Sequence, residues 1–233
     1  STRFLAYFSR LWKFSSADCD AIALELDLEK DTVKQVLHYA KKYNKKVFAA
    51  ISNMSIAMER RDFLQQIADY VRKDGYDAIV WDEAGELEAD KHILVMAWRG
   101  NGFAAAVARK GHPVILAPCS HFYFDYYQSA ASTEPKAVGG LIPLKQVYGY
   151  ELPELSPEEA ARVRGLQANI WTEYLYNMGL VEYMAWPRAL ALSERAWSDC
   201  DPRDYKSFRS RASRALKILE KLAVKYRPMD EED

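Results

Sequence analysis

The chain has 233 residues, of which 49% are hydrophobic, 28% charged and 13% aromatic. That composition buries a core and excludes a disordered chain, and the length suits one large α/β domain. Lys and Arg total 32 against 33 Asp and Glu, so no net field draws the chain to nucleic acid or to an anionic membrane.

No run approaches the roughly 18 apolar residues that a membrane-spanning helix needs. Ser1–Phe14 lacks a continuous apolar signal core, and a first residue other than Met fits a chain whose leader has been removed, which leaves the cellular address open. Cys19, Cys119 and Cys200 are odd in number, far apart and without His at ligand spacing. They are expected as buried thiols, with no disulfide framework, no metal site and no cofactor.

Short β-rich runs alternate with amphipathic helical stretches, the pattern of a parallel sheet covered by helices. In chain order, strands are expected at Phe4–Ser9 and Ala21–Leu26, followed by a helix capped by Asp31 with Val33, Val36, Leu37 and Ala40 on one face. A strand at Lys46–Ile51 leads to a helix whose Phe63, Leu64, Ile67 and Val71 repeat that spacing, stopped at Gly75. Strands at Asp77–Asp82 and Ile93–Trp98 precede an Ala-rich helix over Gly102–Lys110, ended by Gly111, and a strand at Pro113–Ala117.

The stretches His121–Tyr150 and Leu152–Pro157, rich in aromatics, Gly and Pro, break the rhythm before a seventh strand at Gln167–Trp171. A long aromatic connection after a buried strand is where barrels place substrate loops. Pro187 suits the first turn of a helix through Trp197. A final helix over Tyr205–Tyr226 carries Phe208, Ala212, Ala215, Leu216, Leu219 and Leu222 inward, and Met229–Asp233 reads as a frayed acidic tail. The predicted fold is α/β, a TIM-type (β/α) barrel in one domain over residues 1–233, with assembly from two half-barrels as the alternative. An eighth strand that closes the ring would fall in Leu11–Cys19 or Ala84–Asp90.

Four strand ends carry the chemistry: Trp81-Asp82-Glu83, Trp98-Arg99-Gly100, Tyr123-Phe124-Asp125-Tyr126-Tyr127 and Trp171-Thr172-Glu173. Side chains two apart on a strand share a face, so Trp171 with Glu173, and Tyr123 with Asp125, are expected to point into one mouth. Aromatic walls with fixed carboxylates suit a pyranose, whose C–H faces pack on rings and whose hydroxyls donate to Asp and Glu.

These residues and their frames resemble glycoside hydrolase family 20, the β-N-acetylhexosaminidases, from Trp81 to Pro228. The resemblance runs through WDE, VMAWRG, GHPVILAP, FYFDYYQ, EPKAVGGLIPLKQVYGYELP, LQANIWTEY and VEYMAWPRALALSERAWS. It implies a pocket for a terminal N-acetylhexosamine, so glycans containing N-acetylglucosamine or N-acetylgalactosamine are the expected partners. Trp81, Trp98 and Trp171 would wall the acetamido group and Tyr123 would contact its oxygen. Asp125 would bind a hydroxyl on the leaving-group side, Glu173 the O4 and O6 hydroxyls, and Arg10 is the candidate for O3 and O4. The same resemblance suggests a secreted or periplasmic setting.

Members of that family use the substrate's 2-acetamido oxygen as nucleophile, with one Asp orienting the acetamido group and a neighbouring Glu protonating the leaving oxygen. Their Gly-Gly-Asp-Glu motif has no counterpart in this sequence. Sugar binding with impaired catalysis is therefore the expectation. Asp82 and Glu83 are the candidate replacements for the pair, hydrogen-bonding groups at the barrel mouth being the alternative.

The first part, residues 1–80, reads differently. KKVFAAISN and RRDFLQQIADYVRKDGYDAIVWDE resemble glycoside hydrolase family 18, although Val80 and Ala84 stand where that family carries an Asp and its acid Glu. A front part like one family joined to residues 81–228 like another would make a chimaeric, engineered barrel, and the alternative function is then a non-catalytic scaffold with a vestigial sugar pocket. The family 20 reading requires Trp81 to face the barrel axis and the family 18 reading requires Asp82 to do so. His38, His92 and His112 are expected on surface or loop, His121 near the pocket, and Glu194-Arg195 and the basic Lys206–Lys221 face as solvated helix surface.

Overall fold

Parallel pairing organises the chain. The computed structural model describes residues 6–8, 21–25, 46–50, 57–83, 90–198 and 204–230. Strands β1 (Ala6–Phe8), β2 (Ala21–Glu25) and β3 (Lys46–Ala50) form one parallel sheet, with Ala6 opposite Ile22 and Ala21 opposite Lys46. Helix α1 (Ala57–Lys73) leads to a second sheet of β4 (Ile79–Trp81), β5 (Leu94–Ala97), β6 (Val114–Leu116) and β7 (Val163–Leu166), in that order. Pairing in sequential order leaves room for a helix between parallel neighbours, and α2 (Asn101–Arg109) fills that place between β5 and β6.

The described residues fall into two compact units. The first draws on Ser1–Ala97, Phe103–Ile115 and Leu155–Arg164, the second on Trp98–Gly102, Leu116–Glu154 and Gly165–Asp233. In the first, Ile79, Val80 and Trp81 are all buried, as are Val95, Met96 and Ala97. Strands covered on both faces are apolar in succession rather than in alternation. Leu64, Ala68 and Val71 of α1 and Ala104, Val107 and Ala108 of α2 are the buried faces of their helices. Helix α1 stops where the sequence predicts, Gly75 taking φ +83° as its amide bonds to the Arg72 carbonyl at 2.9 Å.

The seventh strand is four residues earlier than expected, at Val163–Leu166 rather than Gln167–Trp171. Two Arg and a Gly in that region carry no apolar signal, yet a strand needs backbone partners more than apolar side chains. The Val114 amide bonds to the Arg162 carbonyl and the Gln167 amide to the Leu116 carbonyl, at 3.0 and 2.9 Å. His112, expected on the surface, is 1% exposed and meets the Ile93 carbonyl through Nδ1 at 3.2 Å; desolvation lowers its pKa. The expected helix after Asp31 and the candidate strand Leu11–Cys19 lie outside the described residues, as do Arg10 and Ala84–Ala89.

In the second unit the long connection after β6 is organised by α3 (Cys119–Phe122) and α4 (Leu144–Tyr148), and α5 (Pro157–Ala160), capped by Ser156, belongs to the first. Helices α6 (Met178–Ala185), α7 (Arg188–Trp197) and α8 (Tyr205–Lys221) complete it. Tyr148 stacks on Phe208 with ring centroids 4.4 Å apart and planes 20° apart. Helix α8 buries Phe208, Ala212 and Leu216 as expected, but ends at Lys221, short of Tyr226, with Leu222 67% exposed and Ala223 at φ +58°.

Glu194 and Arg195, expected as solvated helix surface, are half-buried and bond to buried groups, while Lys206, Lys217 and Lys221 of the basic face are exposed. Glu194 accepts from Tyr148 Oη at 3.1 Å and pairs with Arg211 of α8, and Arg195 Nε donates to the Tyr150 carbonyl at 3.0 Å. The C-terminal segment is anchored as far as Asp230. Arg227 pairs with Glu134 at 2.7 Å, both side chains at most 5% exposed, and with Asp230. Ser129 Oγ and Tyr183 Oη also donate to Glu134, at 2.7 and 3.3 Å.

Breaking a buried ion pair leaves an uncompensated charge, which costs more than removing both partners. Arg227→Ala is expected to lower the unfolding free energy by about 3 kcal/mol in urea denaturation. The double variant Glu134→Gln, Arg227→Met should lose distinctly less. Equal losses would show that the pair carries no buried-charge penalty.

Candidate functional site

The second unit contains an isolated parallel pairing of its own. Tyr123 forms a parallel bridge with Asn169, the Phe124 amide donates to the Asn169 carbonyl at 2.7 Å, and the Asn169 amide donates to the Phe122 carbonyl at 2.8 Å. Parallel partners share a face, so the aromatic segment and the segment before Trp171 present side chains to one side at the same level.

Tyr123 stands between two indoles as a result. Its ring centroid lies 6.4 Å from that of Trp98, with planes 34° apart, and 6.3 Å from that of Trp171, with planes 56° apart. Tyr126 closes on Tyr123 edge to face at 5.8 Å. Trp98, Tyr123 and Trp171 are each half-buried, offering ring surface to a ligand while anchored in the fold.

Asp125 is 2% exposed. Its carboxyl meets its own backbone amide and that of Trp171, with Arg188 and Glu173 the nearest charges, and its Oδ1 has no hydrogen-bond partner. Desolvation dominates over those amides and the Arg188 charge and pushes its pKa up to about 6, with Glu173 adding to the rise. Glu173 itself is exposed. A buried carboxyl oxygen left without a partner, on a group that meets the Trp171 amide, is an unused hydrogen-bond acceptor.

Trp98, Tyr123, Asp125, Trp171 and Glu173 all belong to the second unit. Trp81, Asp82 and Glu83 belong to the first, where Trp81 is 7% and Asp82 1% exposed, while Glu83, in the turn after β4, faces solvent. Trp81 and Asp82 are both buried, because β4 is covered on both faces, and the chain turns immediately after Trp81. A cavity of about 360 Å³ in the first unit is lined by Asp77, Lys91, His92, Arg162 and Arg164, has no aromatic wall and shares no residue with this site.

Sequence reasoning passed over three residues here. Tyr126 was quoted without a role, Asn169 contributes a buried Nδ2 with no partner, and Arg188 lies fully buried beneath Phe124 and Tyr126. The available signal for Arg188 was a cation placed immediately before the apolar run Ala189–Leu192. His121 packs against Phe122 and Tyr150, with centroids 6.2 and 5.1 Å away, and burial lowers its pKa. Among the described residues no His, Cys, Asp or Glu group could hold a metal ion, and no helix is long and apolar enough to cross a membrane. Cys119 is half-buried and in no disulfide among the described residues.

An unfolded Asp125 carboxyl loses its proton near pH 3.8 and the folded one near 6, so the native state holds an extra proton between those values. Stability from this group therefore falls as pH rises from about 4 to 6, and the cost is complete above 6. Asp125→Asn removes that cost. Its urea stability relative to the parent should rise across this window by roughly 2 to 3 kcal/mol, with no gain below about pH 3.5. Parallel pH curves for the two proteins would refute the assignment.

A family model described as glycosyl hydrolase family 20, catalytic domain, matches residues 30–200, well over half of the chain. A β-hexosaminidase of Porphyromonas gingivalis is 38% identical over 167 residues, which is 70% of this chain and 22% of that protein. A β-N-acetylhexosaminidase of Cellulomonas fimi is 28% identical over 166 residues, covering 68% of this chain and 33% of that one. The chain therefore spans a third or less of the length of these relatives. The family 20 exo-β-N-acetylglucosaminidase of Vibrio harveyi, solved in complex with N-acetylglucosamine, superposes with a TM-score of 0.73 at 26% identity over 85% of this chain and 35% of that one. A Streptomyces coelicolor family 20 enzyme shares the fold with a TM-score of 0.73 at 22% identity, over 86% and 43% of the two chains. The chain belongs to glycoside hydrolase family 20 and has the α/β fold of the TIM-type (β/α) barrel.

Proposed function

We propose that the chain carries the sugar-binding wall of a β-N-acetylhexosaminidase and recognises a terminal N-acetylhexosamine. The observation that carries this reading is the position of Tyr123 between Trp98 and Trp171, together with the unpartnered Oδ1 of Asp125, whose carboxyl meets the Trp171 amide. Two indoles and a phenol present apolar faces to an acetamido methyl and to the C–H face of a pyranose, and the phenolic hydroxyl can donate to the acetamido oxygen. Asp125 and Glu173 accept from sugar hydroxyls. Trp81 and Arg10 are assigned to the same pocket by family resemblance alone. The Vibrio harveyi relative was solved with N-acetylglucosamine, which supports the choice of ligand.

We further propose that this chain by itself binds without turnover. Asp82 is buried but Glu83 is exposed in the turn after β4, so the two adjacent carboxyls do not share one enclosed wall. A single family model running from residue 30 through Lys45–Asn53 and Arg60–Glu83 favours one family for that stretch over a family 18 portion or a chimaera.

Isothermal titration with N-acetylglucosamine tests the reading, alongside hydrolysis of a chromogenic N-acetylglucosaminide. Binding is expected with glucose at least tenfold weaker, and Trp171→Ala should lose at least a further tenfold, about 1.4 kcal/mol. No hydrolysis is expected. Hydrolysis that disappears in Glu83→Gln would instead make Asp82 and Glu83 the catalytic pair, and absence of binding by a folded chain would end the sugar-site reading.

A further inference from the structure

Arg188 opens α7 and is 0% exposed, and the five N–H groups of its guanidinium are all spent on backbone carbonyls. Nε donates to Met184 at 3.3 Å, Nη1 to Tyr126 and Ile142 at 3.1 and 3.2 Å, and Nη2 to Phe124 and Met184 at 2.6 and 2.8 Å. Its guanidinium carbon lies 4.7 Å from the Phe124 ring centroid. One planar fork thus ties together the end of α6, the segment before α4 and the segment that carries the sugar-site residues.

We propose that Arg188 is the positioning residue of the sugar site, fixing the Asp125 carboxyl by gripping the carbonyls of Phe124 and Tyr126 on either side of it. The proposal rests on the sugar-site reading and deepens it. The peptide between Phe124 and Asp125 is rigid and planar. Its oxygen accepts from Arg188 Nη2, while its N–H meets the Asp125 carboxyl, which also meets the Trp171 amide. A tilt of that one plane therefore moves the carboxyl relative to Trp171 and to Tyr123, without Arg188 touching the ligand. Lysine carries the same charge but presents three donors from one nitrogen and cannot span four carbonyls.

Charge adds a second handle. Asp125 faces Arg188, Glu173 and Tyr126, and Arg188 faces Asp125, Glu134, Arg227 and Tyr183. The Arg188 charge holds the Asp125 carboxyl below where burial alone would put it. A sugar hydroxyl donating to Oδ1 favours the carboxylate, so affinity should rise as pH passes through the Asp125 titration.

The test compares the full chain with Arg188→Lys and Arg188→Met in N-acetylglucosamine titrations from pH 5 to 8, with circular dichroism to establish that each variant is folded. Arg188→Lys is expected to bind at least tenfold more weakly, and Arg188→Met to show in addition a binding midpoint moved to higher pH. Folded variants with lower melting temperatures but parental affinity and midpoint would reduce Arg188 to a structural role and overturn the proposal. If neither variant folds, the parent protein decides. In ¹³C,¹⁵N-labelled chain, the Arg188 Nε–H resonance should shift in step with the Asp125 carboxyl carbon as pH is varied, and independent titrations would overturn it. That measurement needs no sugar, so a chain that fails to bind N-acetylglucosamine, which would sink the sugar-site reading, leaves the Arg188–Asp125 linkage separately decided.

Discussion

Two backbone hydrogen bonds at Asn169, one received from Phe124 and one given to Phe122, set the level at which the aromatic segment meets the segment leading to Trp171. A parallel register slipped by one residue would reverse the face of every side chain on one partner. Tyr123 would then leave the gap between the indoles, and Asp125 would lose the Trp171 amide. The proposed site therefore depends on a pairing in which none of the side chains proposed to meet the sugar takes part. Its aromatic character comes from sequence, while its convergence comes from main-chain hydrogen bonding at a residue with no aromatic ring.

Burial of charge gives the second organising rule. Arg188 is entirely desolvated, which pulls its pKa down to about 9, still far enough above neutrality for the guanidinium to stay charged. It is tolerated because every donor has an acceptor and Asp125 and Glu134 supply nearby negative charge. Glu134 is satisfied in the same manner by Arg227, Ser129 and Tyr183. Asp125 is the exception among these, with one oxygen left over. Saturated buried charges hold a fold, and an unsaturated one beside open ring surface is a group with binding capacity to spare.

The strands at Ala21–Glu25, Lys46–Ala50, Ile79–Trp81, Leu94–Ala97 and Val114–Leu116 were legible as short apolar runs, which for Ile79–Trp81 and Leu94–Ala97 reflects cover on both faces. Val163–Leu166 was not, since its pairing is a property of the backbone and its Arg and Gly residues read as loop. Trp98 directly follows a strand, but Tyr123 and Trp171 lie well past the ends of β6 and β7, and the isolated bridge at Asn169 is what aligns their segments. The misread charges share one cause. A cation or carboxylate on an amphipathic helix looks solvated unless its partner is known, and the partners of Glu194 and Arg195 are a tyrosine and a carbonyl that lie 46 and 45 residues away along the chain. Arg188 was hidden for the same reason, because carbonyl acceptors leave no mark in a sequence.

Asp125 and Glu173 show how one short stretch of structure gives two carboxylates different work. The Asp125 carboxyl lies almost wholly inside, where charge is expensive, and takes two main-chain amides that hold its direction. Glu173, two residues past Trp171, is out in solvent, where charge is cheap and orientation is loose. A buried acceptor with one free oxygen selects by geometry, because a hydroxyl that misses it leaves the oxygen unpaired at full desolvation cost. An exposed carboxylate tolerates several hydroxyl positions at little cost. Under the proposed function, the inner acid is thus suited to fixing the depth and orientation of a sugar ring, and the outer one to accepting whichever hydroxyl the seated ring presents at the rim.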